Sequence, residues 1–316
     1  MGKIRILPDI LVSKISAGEV VERPASVVKE LIENSIDASA DKITIFLKSG
    51  GKRQIKVIDN GYGMTRDDAL MSLERHATSK IKDVNDLFSL DTLGFRGEAI
   101  PSVASVSRLN IITKTDEQQS GVEINSEGGV IKKVKEVACN TGTSIEVNNL
   151  FFNTPARLKF LKKPQTELMR VMEIIQREAI SMPRIQFEVF SEDKNLYHYK
   201  STTDIKSRIT EIIPNTELYE FESENKGVEI NGYLSSPLES RTSLQKLYTY
   251  VNNRSVRDRF INRLVMDSYG NLLDKGRFPQ GVIFIIVDHK DVDVNVHPTK
   301  IEVKFKNQYF VGECIK

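Results

Sequence analysis

The 316-residue chain predicts an α+β protein in two domains. Its length exceeds one typical domain and falls short of three. Ile43, Ile45 and Leu47 alternate within 42–48, the period of a half-buried strand, and Ile55 and Val57 repeat the pattern within 54–59 across a Ser49-Gly50-Gly51-Lys52 turn. Leu168, Val171, Met172, Ile175 and Ala179 recur at helical spacing within 166–181.

The elements follow in order. Residues 24–38 predict a helix with Pro24 at its first position, where the missing N–H costs nothing. Val28, Leu31, Ile32 and Ser35 share one side of it, and Glu30, Asn34 and Asp37 share another. After the 42–59 hairpin, 67–77 predicts a short helix. Residues 78–97 read as a long loop, a length that belongs to a lid or a disordered segment. A helix is expected over 98–106, strands over 109–113, 121–125, 130–137 and 143–147, and a turn over 151–157. The 166–181 helix ends at Met182-Pro183. Strands near 185–191 and 197–200 close the first domain, 1–202. The second, 203–316, has helices over 204–213 and 258–273 and strands over 228–235, 247–252, 282–288 and 302–305.

Composition narrows the class. No apolar run approaches the ~20 residues of a membrane span, and 1–9 lacks a signal-peptide core. Ile6 stands where a myristoylation pattern needs Ser or Thr. Cys139 and Cys314 stand alone and the four histidines are scattered, so neither a disulfide framework nor a metal cluster is expected; an intracellular, reducing setting fits. The net charge of +2 leaves partners open.

Three motifs carry chemistry. Glu30 and Asn34 lie one helical turn apart. A carboxylate there can take a proton from water, and an amide oxygen is a hard ligand for Mg²⁺; a solvated polar helix face is the plain alternative. Asp59 ends a strand before Asn60-Gly61-Tyr62-Gly63-Met64, where an acceptor can read an exocyclic amine such as that of adenine and glycines allow close approach; an ordinary turn is the alternative. Gly94-Phe95-Arg96-Gly97-Glu98-Ala99 offers backbone N–H groups and a helix start to an anion, or is a capped glycine loop. Thr143, after Asn140-Thr141-Gly142, can bond the base or Asp59, or simply begin a strand. No GxxxxGK[ST] or strand-initial GxGxxG occurs, which removes P-loop and Rossmann readings. Arg241, Lys246, Arg254, Arg257, Arg259 and Arg263, with Tyr248 and Tyr250 among them, form a basic run suited either to sequence-independent phosphate contact or to a solvated face.

In their order these motifs resemble the GHKL nucleotide-binding superfamily, and within it the MutL mismatch-repair family. Residues 15–31, ISAGEVVERPASVVKEL, Ala77-Thr78-Ser79-Lys80, Gly94 to Ala99, Leu150 to Arg157 and Asp293 to Lys300 (DVNVHPTK) carry the likeness, which covers essentially the whole chain. The resemblance implies a GHKL (Bergerat-type) ATPase sandwich of mixed sheet with helices on one face, followed by a ribosomal-S5-like αβ transducer domain. It implies Glu30 as general base, Asn34 as Mg²⁺ ligand, and Asp59 as adenine reader beside Gly63, Met64 and Thr143, with Asp37 close by. Thr78, Ser79, Lys80, Gly94, Phe95, Arg96, Gly97 and Glu98 become the ATP lid and phosphate loop, and Lys300 the lysine that reaches the γ-phosphate. Arg254, Arg257 and Arg259 fall in the family's DNA groove.

The implied function is DNA mismatch repair: Mg²⁺-dependent ATP binding and slow hydrolysis that drive homodimerisation and a DNA-clamp or matchmaker switch. A nucleotide-gated DNA scaffold in which hydrolysis is only a timer is the alternative. Implied partners are ATP, DNA without strong sequence preference, a second copy of the chain, a MutS-type mismatch-recognition protein and a downstream nuclease or helicase, in an intracellular setting that is the cytoplasm or nucleoid if the source is bacterial. The chain reads as the N-terminal fragment of a longer protein. The other GHKL branches fit poorly: no histidine is placed as a kinase phosphoacceptor, a topoisomerase half would need a cleavage domain elsewhere, and the chaperone branch lacks AGEVVERP.

Overall fold

A computed structural model of the chain describes residues 18, 20–75, 77, 97–293 and 303–315. These form two compact units, one taking in the chain through Ile175 with Arg184–Ser201, the other Gln176–Pro183 with the chain from Thr202. Both are mixed α+β.

The first unit is built on an eight-stranded sheet. Its strands are β1 (Lys42–Lys48), β2 (Gln54–Asp59), β3 (Arg108–Lys114), β4 (Gly121–Glu127), β5 (Val130–Val137), β6 (Gly142–Asn148), β7 (Gln186–Ser191) and β8 (Lys194–Tyr199), in the order β5-β4-β3-β6-β2-β1-β7-β8. All neighbours are antiparallel except β1 and β7. Helices α1 (Pro24–Asp37), α2 (Arg66–Met71), α3 (Ala99–Ser105), α4 (Pro155–Phe160) and α5 (Pro164–Ser181) complete the fold. Of these, α1 packs on β2, and α3 on β3 and β4.

Register explains the sheet's two faces. One inner row runs Ile124, Ile111, Ile145, Val57, Ile45, Val189 across β4, β3, β6, β2, β1 and β7, and every one of these side chains is buried. Each contributes on the order of 1.5–3 kcal/mol by leaving water. The outer face is largely polar, with Phe46 stacked on Phe190 as an apolar exception. Glu146 accepts from Gln54 at 2.8 Å and Asn148 at 2.9 Å and lies 3.4 Å from the Lys56 ammonium, while Glu188 pairs with Lys42 at 3.2 Å. One dry and one wet face is the expected economy of a largely antiparallel sheet.

Helix α1 follows its sequence closely. Arg23 is extended, Pro24 opens the helix, and Val27, Val28, Leu31, Ile32 and Ser35 turn inward. The chain leaves it with Ser39 at φ +60.

The second unit has a five-stranded sheet of β9 (Leu218–Asn225), β10 (Val228–Ser235), β11 (Leu247–Val251), β12 (Arg254–Val256) and β13 (Gly281–Ile286), ordered β12-β11-β13-β10-β9, with β11 and β13 parallel. A short pair, β14 (Val292–Asp293) and β15 (Lys304–Phe305), and helices α6 (Ile205–Ile212), α7 (Arg259–Tyr269) and α8 (Gln308–Ile315) complete it. Ile230, Val251, Ile261, Val265, Ile283 and Val311 lie in its core. The last turns of α5 belong to this unit. Fully buried Arg208 donates to the Ala179 and Pro183 carbonyls at 2.6 and 3.0 Å, and the Tyr250 hydroxyl donates to the Arg177 carbonyl at 2.8 Å. The Ala179 carbonyl is one that the helix end leaves open, because Pro183, four residues on, has no N–H to give it.

Several expectations change. The 67–77 helix stops at Met71, where the chain continues in single turns. The expected 151–157 turn runs into α4, which buries none of its residues. Strands β9 and β12 and helix α8 were not anticipated. β9 is an edge strand whose residues are mostly exposed or half-buried, so its sequence shows no apolar alternation. α8 buries only Val311 and Cys314. Among the described residues, no helix is long and apolar enough to cross a membrane.

Candidate active site

The inner face changes character at one end of the sheet. The row after Ile111, Ile145 and Val57 is Thr113, Thr143 and Asp59, directly opposite one another on β3, β6 and β2. A polar triplet replaces the apolar pattern on the face that carries the core.

Asp59 is held from three sides. Its Oδ1 accepts from the Gly61 and Thr143 backbone N–H groups at 3.0 and 3.3 Å. Its Oδ2 accepts from the Ser35 hydroxyl of α1 at 2.9 Å. Ser35 shares its one hydrogen between Asp59 and the Leu31 carbonyl, 3.1 Å away. Burial pushes the Asp59 carboxyl above its ordinary range, and the bonds from Gly61, Ser35 and Thr143 pull against that rise. Each carboxylate oxygen has room for two donors, so one acceptor position remains on Oδ2.

The surrounding backbone is packed tightly. Gly63 has φ +69, and a Cβ there would stand 2.0 Å from the Lys114 carbonyl oxygen. Gly142 has φ +118, and its Cβ would stand 2.2 Å from the Asp59 carbonyl oxygen. Only glycine fits either place. The Met64 N–H donates to the Thr113 hydroxyl at 2.9 Å, which ties the Gly61–Met64 loop to β3. Asn60 pins the loop's other side: its amide oxygen accepts from the Asp41 and Lys42 N–H groups at 3.1 and 2.9 Å. Tyr62 is exposed, and its hydroxyl is held above its usual range by partial burial and then by the carboxylates of Asp37, Asp59 and Asp68.

The structure thus brings Asp59, Gly63, Met64 and Thr143 together. Glu30, Asn34 and Asp37 are half-buried on α1, the helix whose Ser35 bonds Asp59. Gly97 is left-handed at φ +60 and Glu98 stands at the N-cap of α3, its carbonyl accepting from Ser102 N–H at 3.0 Å. Thr78, Ser79, Lys80, Gly94, Phe95, Arg96 and Lys300 lie outside the described residues. Ser35 and Thr113 are contributors that sequence reasoning missed. Ser35 reads as part of an apolar helix face, and Thr113 as the end of an ordinary strand. The available signal was positional, since Thr113 and Asp59 each follow, and Thr143 precedes, two inward apolar residues at a period of two.

No group of three or more His, Cys, Asp or Glu side chains able to hold a metal exists among the described residues. The side-chain amide oxygen of Asn34 is a donor of the hard type that Mg²⁺ takes.

The basic run of the second unit separates into parts. Tyr248 and Tyr250 are fully buried, with hydroxyls donating to Gln176 and the Arg177 carbonyl, so neither can stack on a base. Lys246 turns inward to the Ile212 carbonyl at 3.0 Å. Arg254 lies in β12 and Arg257 follows it. Arg259 opens α7, exposed, beside the capping carboxylate of Asp258. A cation at a helix N-terminus opposes the helix dipole, so fold stability does not explain Arg259.

Residues 22–153 match the family model for histidine kinase-, DNA gyrase B- and HSP90-like ATPases. Residues 209–316 match that for the C-terminal domain of DNA mismatch repair protein. The DNA mismatch repair protein MutL of Geobacter sp. strain M21 is 49% identical over 99% of this chain and 49% of its own length. That of Geobacter sulfurreducens is 48% identical over 99% and 52%. Among solved structures, the Aquifex aeolicus MutL ATPase domain complexed with ADP aligns with a TM-score of 0.65 at 29% identity, over 85% of this chain and 93% of that one. A crystal structure of the N-terminal domain of a DNA repair protein aligns with a TM-score of 0.80 at 25% identity, over 96% and 95%. The chain spans about half the length of the curated relatives it matches. With GHKL-type and mismatch-repair matches in sequence order and near-complete alignment to those relatives, the chain belongs to the MutL family of DNA mismatch repair proteins.

Proposed function

We propose that this chain binds and slowly hydrolyses ATP, and that the nucleotide switches it between an open form and a dimeric DNA-clamp or matchmaker form in mismatch repair. The observation that carries this reading is Asp59: a half-buried carboxylate, braced by three donors, that keeps one acceptor position free at the end of a sheet. That geometry fits an exocyclic amine such as the N6 group of adenine. The ADP carried by the Aquifex aeolicus relative supports the same ligand class.

The residues divide the work. Asp59 and Thr143 hold the base, and Gly63 and Met64 let the backbone approach it. Glu30 takes the proton of the attacking water. Asn34 would hold Mg²⁺, which when bound neutralises phosphate charge. Asp37 lies on the same helix face. Gly97 and Glu98, with Gly94, Phe95 and Arg96, receive the phosphates. Thr78, Ser79 and Lys80 belong to a lid, and Lys300 contacts the γ-phosphate and makes nucleotide binding felt in the second domain. Positioning and charge stabilisation carry most of the rate. On this reading 1–202 is the ATP-binding domain and 203–316 the transducer. Arg254, Arg257 and Arg259 meet DNA phosphates there, and the whole acts with a second copy, a MutS-type protein and a downstream nuclease or helicase.

The test is Glu30→Ala. Nucleotide affinity should stay within a few-fold, and turnover should fall on the order of 10²–10⁴-fold. Turnover retained at the wild-type rate removes Glu30 from the reaction.

A further inference from the structure

The Thr113 hydroxyl meets three polar atoms: Met64 N at 2.9 Å, the Gly142 carbonyl oxygen at 2.9 Å and the Thr143 hydroxyl at 3.1 Å. Its residue is 1% exposed, so water does not share these bonds. A hydroxyl has one hydrogen and two lone pairs. The Met64 N–H can only donate, and the Gly142 carbonyl can only accept. One arrangement satisfies all three contacts: Thr113 donates to Gly142 and accepts from both Met64 and Thr143. Thr143's only side-chain hydrogen is then committed to Thr113, and its backbone N–H goes to Asp59 Oδ1. At Asp59, both Oδ1 positions and one Oδ2 position are taken by Gly61, Thr143 and Ser35. What Asp59 and Thr143 have left are lone pairs.

We infer that Thr113 makes the base-reading floor acceptor-only, and so sets the preference for a 6-amino over a 6-oxo purine nucleotide without touching the ligand. This rests on the proposed reading of Asp59 as the base reader. A 6-amino group offers hydrogens to the floor. A 6-oxo group faces it lone pair against lone pair, and Thr143 has no hydrogen to turn toward it. Thr113 is therefore a positioning residue, acting through the direction of the Thr143 hydroxyl.

The experiment is calorimetric binding of ADP and of inosine diphosphate to the whole chain and its variants. Wild type should prefer ADP by about 100-fold or more, since a site built around a hydrogen-bonding group rejects the analogue that lacks it. Thr113→Val frees the Thr143 hydrogen to meet a 6-oxo group, and the preference should fall about 10-fold, the scale of one hydrogen bond. Thr113→Ser keeps the hydroxyl and should keep the preference. A merely structural role for Thr113 weakens both ligands equally, so an unchanged ratio in Thr113→Val overturns the inference. If that variant does not fold, Thr113→Cys, with a weakly accepting thiol, should lower the ratio in the same direction, and an unchanged ratio there overturns the inference equally. Wild type that binds neither nucleotide overturns the proposed function as well; wild type that binds both alike overturns the inference together with the reading of Asp59 as reader of the exocyclic amine, whereas a wild-type preference left unchanged in Thr113→Val overturns the inference alone.

Discussion

Glu146 and Asp59 are acids on adjacent strands of one sheet, and their surroundings treat them in opposite ways. Glu146 faces outward. Burial raises its carboxyl, but bonds from Asn148 and Gln54 and the charge of Lys56 bring it below its ordinary range. Asp59 faces inward, in the position after Ile55 and Val57. Burial outweighs its three donors, and its carboxyl is raised. The outer acid is neutralised by a partner cation. The inner one has no ion pair among the described residues and keeps an open acceptor position. The first arrangement stabilises the sheet; the second costs stability and leaves a site able to bind, the usual signature of a functional group held in place by its scaffold.

The contrast can be broken at its strongest point, the backbone around Asp59. Gly63→Ala places a methyl against the Lys114 carbonyl in a left-handed conformation. Strain and overpacking together should cost about 2–5 kcal/mol, read as a lower denaturation midpoint, with nucleotide binding lost. A stable Gly63→Ala protein with wild-type ADP affinity would falsify the close-packed account of this loop.

The outer face should respond weakly. Glu146→Gln should cost about 1 kcal/mol or less at neutral pH and leave nucleotide affinity unchanged. The pH sign follows from linkage. A carboxyl lowered in the fold adds stability above its unfolded value near 4.5 and loses it as pH falls through the folded value. The deficit of Glu146→Gln in chemical denaturation should therefore shrink in acid. A deficit that grows in acid contradicts the assigned pairing.

The sequence exposed this site unevenly. Asp59, Gly63 and Thr143 were legible because strand alternation and glycine placement are local. Helix α1 was legible to within a residue, since Pro24 and the Val28–Leu31–Ile32 stripe act within the helix itself. Ser35 and Thr113 were not. The role of Thr113 depends on β3, β6 and β2 lying side by side, an order that does not follow the chain, and that of Ser35 on α1 packing against β2. The burial of Tyr248 and Tyr250 was hidden for a related reason. Both faces of β11 are covered, so every residue of that strand is buried and no alternation marks which side meets water. β9 escaped notice because an edge strand is held by backbone pairing to β10 and needs few apolar side chains.

The most direct test of the central claim is Asp59→Asn, followed by ADP calorimetry and by denaturation as a function of pH. The asparagine oxygen can keep the Gly61 and Thr143 N–H bonds. Its amide nitrogen can donate to Ser35, which then gives its hydrogen wholly to Leu31. The fold should lose nothing. It should gain stability at neutral pH, because a carboxyl raised in the fold costs stability as pH rises from its unfolded value of 3.8 through the folded value. That gain should disappear in acid, opposite in sign to the Glu146→Gln deficit. The open position would now present a donor, and ADP affinity should fall about 100-fold or more. A variant that is no less stable than wild type and no longer binds ADP is the predicted result. One that binds ADP as wild type does would contradict the claim that Asp59 is where this protein reads its nucleotide.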